Sequence, residues 1–154
     1  MIIRNVRNGE MKEVASIVRN TFSKFNCKEG SKKAVKQYLE QSSDKKTEEE
    51  LKEKYSKSKI FLVAEDKEKL IGVARGRKDR LTNLFVLGSY HGRGIGKRLL
   101  RNFEEKAKKE GSREIKIRAS MFATPFYLSQ GYKKTTGIRT FHELKIQPLK
   151  KVLK

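Results

Sequence analysis

The stretch Leu84–Leu100 constrains this chain more than any other. It begins as the apolar strand Leu84-Phe85-Val86-Leu87 and passes through Gly88-Ser89-Tyr90-His91-Gly92-Arg93-Gly94-Ile95-Gly96. It ends in Lys97-Arg98-Leu99-Leu100, the first turns of a basic amphipathic helix. The opening N–H groups of a helix have no intrahelical partner, and the dipole adds partial positive charge there. A glycine loop feeding such a helix is therefore an anion site. Gly92, Gly94 and Gly96 let the backbone turn tightly and let a bulky phosphate approach.

Spacing separates three kinds of phosphate loop. A Walker A loop needs a glycine, four residues and then Gly-Lys-Ser/Thr. Gly96-Lys97 supplies the end, but His91 stands where the first glycine belongs and Arg98 where the hydroxyl belongs. The dinucleotide fingerprint G-x-G-x-x-G fails as well, because Lys97 or Leu99 takes its last position. The pattern that fits is x-G-x-G-x-G behind an apolar strand.

The rest of the chain alternates strands and helices. Ile2–Val6 reads as a strand, and Asn8 is placed to cap a helix carrying Met11, Val14, Ala15, Val18, Phe22 and Phe25 on one face. Ser31 can cap a second helix with Ala34, Val35, Tyr38 and Leu39. Thr47-Glu48-Glu49-Glu50 has capping-box spacing and opens a third, with Leu51 and Tyr55 inward. This polar region, Gly30 to Lys59, is expected to cover the substrate side. Ile60–Ala64 reads as a strand buried on both faces, and Leu70–Arg75 returns as its hairpin partner. After Gly94, Ile95, Leu99, Phe103 and Ala107 recur every four residues until Gly111 stops the helix.

Ile115 and Ile117 share a face of the next strand. A short helix through Phe122, Phe126 and Leu128 then ends at Gly131, with Pro125 acceptable only in its first turn. Tyr132–Thr136 and Ile138–Ile146 are expected to pair around a turn at Gly137, leaving Leu149–Lys154 as a basic tail.

Two stretches carry a resemblance. His91-Gly92-Arg93-Gly94-Ile95-Gly96 resembles the pyrophosphate loop of the GCN5-related N-acetyltransferases (GNAT superfamily), with His in place of the usual Gln or Arg. Ser120-Met121-Phe122-Ala123-Thr124-Pro125-Phe126-Tyr127-Leu128-Ser129-Gln130-Gly131-Tyr132 resembles the same family's closing signature. The element order matches as well. The resemblance implies one α/β domain over residues 1–154, with helices flanking a central mixed sheet. It also implies a V-shaped split between the strands of Leu84–Val86 and Ile115–Ile117.

Acetyl transfer from a thioester to an amine needs a neutral amine, a stabilised carbonyl oxygen and a proton for the leaving thiolate. The resemblance assigns groups to these tasks. Acetyl-coenzyme A would lie in the split, its pantetheine arm on the backbone of Leu84, Phe85 and Val86, and a backbone N–H near Val86 would polarise the carbonyl. Its pyrophosphate would sit on the N–H groups of His91, Gly92, Arg93, Gly94, Ile95, Gly96 and Lys97, with charge from Arg93, Lys97 and Arg98. Tyr127 would protonate the thiolate, a task suited to a phenol that stays protonated near neutral pH. Ser120 would contact the coenzyme or cap the following turn. Many family members carry a carboxylate base near Asn83, which cannot take a proton here. Glu65, Asp79, His142 and Glu143 remain as candidates, and no base is assigned.

Lys and Arg number 38 against 18 Asp and Glu, a formal charge of +20 in 154 residues, which favours anionic partners. The acceptor amine belongs to a small molecule or a protein that the sequence does not identify. Nucleic-acid contact, a ribosome-associated binding role, coenzyme binding without catalysis and homodimer formation all stay open. Cys27 is the only cysteine, so neither an internal disulfide nor a cysteine-based metal site is expected. No apolar run approaches the roughly 18–20 residues of a membrane span, and Met1-Ile2-Ile3-Arg4 does not read as a signal peptide, so a cytoplasmic protein is expected.

Overall fold

A computed structural model describes all residues, Met1–Lys154. Its elements run β1 (Ile2–Asn5), α1 (Met11–Phe25), α2 (Lys32–Glu40), α3 (Glu48–Lys54), β2 (Ile60–Asp66), β3 (Lys69–Arg77), β4 (Arg80–Val86), α4 (Ile95–Lys109), β5 (Glu114–Ala119), α5 (Thr124–Ser129), β6 (Lys133–Lys134), β7 (Arg139–Phe141) and β8 (Leu144–Val152). The sheet order is β1-β2-β3-β4-β5-β8-β6, with β7 paired to β8. Every pairing is antiparallel except β4–β5.

Helices cover both faces, which is why β2 is apolar over Ile60–Ala64 and β3 over Leu70–Ala74. Beneath α4, Leu99, Leu100, Phe103 and Ala107 pack on Leu62, Ala64, Ala74, Ile115 and Ile117. Burying side chains of the size of Leu99, Leu100 and Phe103 contributes about 1.5–3 kcal/mol each. On the opposite face Val14, Ile17 and Val18 of α1 meet Val63 and Val73, with Leu51 and Tyr55 closing the end.

Ser31 and Thr47 cap α2 and α3 as expected, and Glu50 completes the capping box. Asn8 does not cap α1. The helix begins after Glu10, whose side chain makes no cap bond. The Glu48 carboxylate of α3 instead accepts from the N–H groups of Met11 (3.0 Å) and Lys12 (2.9 Å), a cap supplied from across the chain.

The C-terminal region departs from the sequence expectation. The tight turn falls at His142-Glu143, with φ of +51° and +63°, and not at Gly137. Leu149–Val152 is no tail: it pairs with β5, because Leu149, 1 % exposed, fills the core beside α4. Pro148 is tolerated in mid-strand. Its carbonyl accepts from Thr135, so its missing N–H faces the side where the short β6 ends, away from β5.

Candidate active site

Strands β4 and β5 pair only at Arg80↔Lys116 and Leu81↔Ile117. Next to that point the β3–β4 register shifts from Gly76↔Leu81 to Arg75↔Asn83, leaving Thr82 without a partner on β3. Such a bulge bends its strand, and from Thr82 onward β4 leaves β5. Arg118 and Ala119 of β5 go on pairing with β8 alone. A cavity of about 870 Å³ runs through the gap. It joins the glycine loop, α5 and the inner side of α1, α2 and α3.

The glycine-loop end is made of backbone. Leu87 N–H bonds Ile71 C=O opposite it, so by antiparallel alternation Phe85 also turns its peptide groups to β3, while those of Leu84 and Val86 face the split. The expectation of free groups at Phe85 is corrected on that ground. The Val86 carbonyl is taken too, at 2.7 Å from His91 Nε2, which leaves the Val86 N–H facing the lumen. His91 thus contributes its ring and not only its main chain.

Gly94 caps α4 at φ +76° and Gly92 sits at +78°, both with open space where a Cβ would stand. A non-glycine residue in that left-handed region costs about 1–2 kcal/mol. The N–H groups of Gly94, Ile95, Gly96 and Lys97 have no protein acceptor; the first bond of the helix runs from Arg98 to Gly94 C=O. Lys97 lines the cavity. Arg93 instead lies over the Tyr90 ring at 5.0 Å, and Arg98 is exposed.

Across the split, Ser120 Oγ accepts from Ala123 N–H at 3.1 Å and its carbonyl accepts from Thr124, so it organises the turn into α5 while lining the cavity. Pro125 lies in the first turn of that helix. Tyr127 also lines the cavity, 4 % exposed, packed between Phe126 and Tyr132. Tyr38, Tyr55 and Tyr132 each have a hydrogen-bonding group within reach, whereas the Tyr127 hydroxyl has none. Burial raises its pKa, so the phenol keeps its proton.

The other end is made of side chains. Asn83 Nδ2 donates to Tyr38 Oη at 3.4 Å, and burial pushes Tyr38 up to about 12. Arg75, opposite Asn83 on β3, lies 4.5 Å from the Tyr55 ring centroid; its Nη1 donates to Ser58 Oγ, and its buried Nε has no partner. Burial lowers its pKa. Lys54 Nζ lies 5.8 Å from the same ring and donates to Gln41. Burial, and then the charge of Arg75, pushes it down to about 8. Of the four candidate bases only His142 reaches the cavity. Glu65 is paired with Arg4 at 2.8 Å on the far edge of the sheet, and Asp79 and Glu143 lie in turns outside the lining.

Sequence reasoning missed Glu29. Buried at 7 % exposure, its carboxylate accepts from Phe122 N–H (2.9 Å) and Asn26 Nδ2 (3.2 Å), while its carbonyl accepts from Lys145 N–H. It ties the α1–α2 loop to the turn before α5, across the mouth of the cavity. Phe25 does the same with its ring, stacked on His91 at 4.8 Å and on Phe122 at 4.7 Å. Only the aromatic residues were visible in the sequence pattern; a lone glutamate in a loop carries no periodic signal.

Residues 26–153 match the family model described as an acetyltransferase (GNAT) domain. No curated protein sequence matches the chain significantly. Among solved structures it is similar to a GCN5-related N-acetyltransferase from Rhodopseudomonas palustris, with TM-score 0.85 and 20% identity over 99% of this chain and 95% of that one. It is also similar to the PaiA N-acetyltransferase from Thermoplasma acidophilum in complex with coenzyme A, with TM-score 0.77 and 21% identity over 98% of each chain. At these identities the likeness concerns the fold. No helix is long and apolar enough to cross a membrane.

Proposed function

This chain belongs to the GNAT acetyltransferase family, and on that premise we propose that it moves the acetyl group of acetyl-coenzyme A, the family's co-substrate, onto a primary amine. The observation that carries the reading is the run of acceptor-free N–H groups at Gly94–Lys97, opening onto a split sheet. Peptide donors at a helix N-terminus, with Lys97 beside them, fit a pyrophosphate. The peptide groups of Leu84 and the Val86 N–H fit an amide-bearing arm laid along β4. A cavity of about 870 Å³ accommodates such an arm together with an acceptor.

Bound there, acetyl-coenzyme A supplies an activated acyl carbonyl and a thiol leaving group. The chain's own groups do the rest. Val86 N–H donates toward a carbonyl oxygen in the split, a fixed dipole aimed where negative charge develops. Tyr127 is the proton donor: its hydroxyl is not engaged by protein, and burial keeps it protonated. Ser120 holds the turn that aims α5 at the split. The acceptor ammonium gives up its proton to solvent before it attacks, since the one carboxylate in the lining, Glu29, has both oxygens engaged.

The test is release of coenzyme thiol from acetyl-coenzyme A in the presence of an amine panel, alongside a thermal shift with coenzyme A. Thiol release with at least one amine, and a rise in Tm with coenzyme A, are expected. No release with any acceptor and no shift would overturn the assignment.

A further inference from the structure

The cavity wall opposite the glycine loop is cationic without counter-ions. Leu81 and Ile117 face the core beneath α4, so their neighbours Arg80 and Arg118 point to the opposite face of the sheet. Arg75 stands on that face too, opposite Asn83, and Lys54 reaches the same space from α3. All four line the cavity, and none forms an ion pair within 4 Å. Asp79 offsets part of the charge on Arg80 from the β3–β4 turn. Arg118 lies over the Phe141 ring at 4.2 Å. Glu29, the one carboxylate in the lining, has both oxygens occupied by Phe122 and Asn26.

Arg75 and Lys54 are the sharpest part of this wall. Both lie within 6 Å of the Tyr55 ring centroid, and no acid stands against either one. The ring offers its negative face, which offsets little of two charges. Arg75 Nε is buried with no acceptor at all. Leaving a buried charged donor unpaired is costly, and a guanidinium fork is shaped for the paired oxygens of a carboxylate or phosphate.

We propose that the acceptor amine carries an anionic group, a carboxylate or a phosphate, which seats on Arg75 and Lys54 beside Tyr55 while its amine lies at Asn83 and the mouth of the split. The inference rests on the acetyl-transfer reading and adds the class of acceptor. Cationic acceptors such as polyamines are disfavoured by the same wall, since like charges in a confined site repel strongly.

Two measurements test it. The first is thiol release from acetyl-coenzyme A with phosphoethanolamine and 4-aminobutyrate against ethanolamine, butylamine and spermidine. At least one anionic amine is expected to exceed its uncharged counterpart about tenfold or more in kcat/KM, the size of one good ion pair in a confined site. The anionic amine that leads separates phosphate from carboxylate. In Arg75→Met that preference collapses to the level of the uncharged amines. Equal or better turnover of butylamine or spermidine overturns the proposal, as does a preference that survives both Arg75→Met and Lys54→Gln.

The second measurement does not need turnover. With the protein saturated in coenzyme A, calorimetry with inorganic phosphate and with acetate reads the anion site directly. Binding of either anion that is lost in Arg75→Met, or weakened in the milder Lys54→Gln, supports the proposal. No binding, or binding unchanged in both variants, overturns it. If no amine releases thiol, the acetyl-transfer reading falls and the acceptor class with it, while the anion measurement separately decides whether Arg75 and Lys54 form an anion site.

Discussion

At the glycine-loop end of the cavity the groups facing the lumen are peptide N–H groups, whereas at the Arg75 end they are side chains. The first set comes from one contiguous segment, Leu84 to Lys97, and its geometry is fixed by φ at two glycines and by the start of α4. The second is gathered from α2, α3, β3 and β4: Tyr38, Lys54, Arg75 and Asn83 meet only because the chain folds. On the proposed reading the first end holds the part of a ligand that every reaction of this kind shares, and the second decides what else enters.

If the two ends divide the work this way, damage to each should have its own signature. The largest effect is expected at their junction. Tyr127→Phe removes one oxygen and should lower kcat about 10²–10³-fold, within the range of general acid catalysis, with coenzyme A affinity by calorimetry unchanged. Equal losses of turnover, affinity and Tm would make Tyr127 a packing residue. Next, Gly94→Val forces a β-branched residue to φ +76° and should weaken coenzyme A binding about 5–30-fold, the equivalent of 1–2 kcal/mol. Gly94→Asn should lose less, because Asn tolerates that region.

Glu29→Ala tests whether the halves are held together across the mouth. It strands the buried Asn26 Nδ2 as well as the Phe122 N–H, and a buried donor left unpaired costs about 1–3 kcal/mol, read as a lower Tm. Glu29→Gln keeps one acceptor oxygen and should lie between. The smallest effect is expected far from the split, where Arg4 binds Glu10 and Glu65 and pins β1 to the start of α1. Arg4 holds Glu10 below the ordinary carboxylate value of 4.5. The stability Glu10 adds is therefore fully present above 4.5 and is lost as pH falls through its lower folded value. Tm measured against pH should show that loss, and Glu10→Gln should flatten it.

The same division explains what was legible in the sequence. The glycine loop and α4 could be read because each is encoded locally: a strand, three glycines and a four-residue apolar step. The split was implied only by the family resemblance, since it depends on how far β4 pairs with β5. Ser31 and the Thr47–Glu50 box were legible for the same reason. Arg75 looked like the end of a hairpin strand, and no pattern singled out Lys54 or Glu29. None carries a period or a motif, and their neighbours lie far away in the chain. The errors have one cause too. Asn8 and Gly137 were the locally favoured cap and turn, but Glu48 serves as the cap of α1, and β7 and β8 turn at two residues in the left-handed region without glycine.

The peptide groups facing the glycine-loop end also bear on how such chains drift. A site made of main chain survives the replacement of almost every side chain around it, so long as Gly94 and the strand register persist. Chains that share about a fifth of their residues with this one share its fold. Selection for a new acceptor then acts on a handful of scattered positions in the opposite wall, which can change without disturbing the turn that feeds α4.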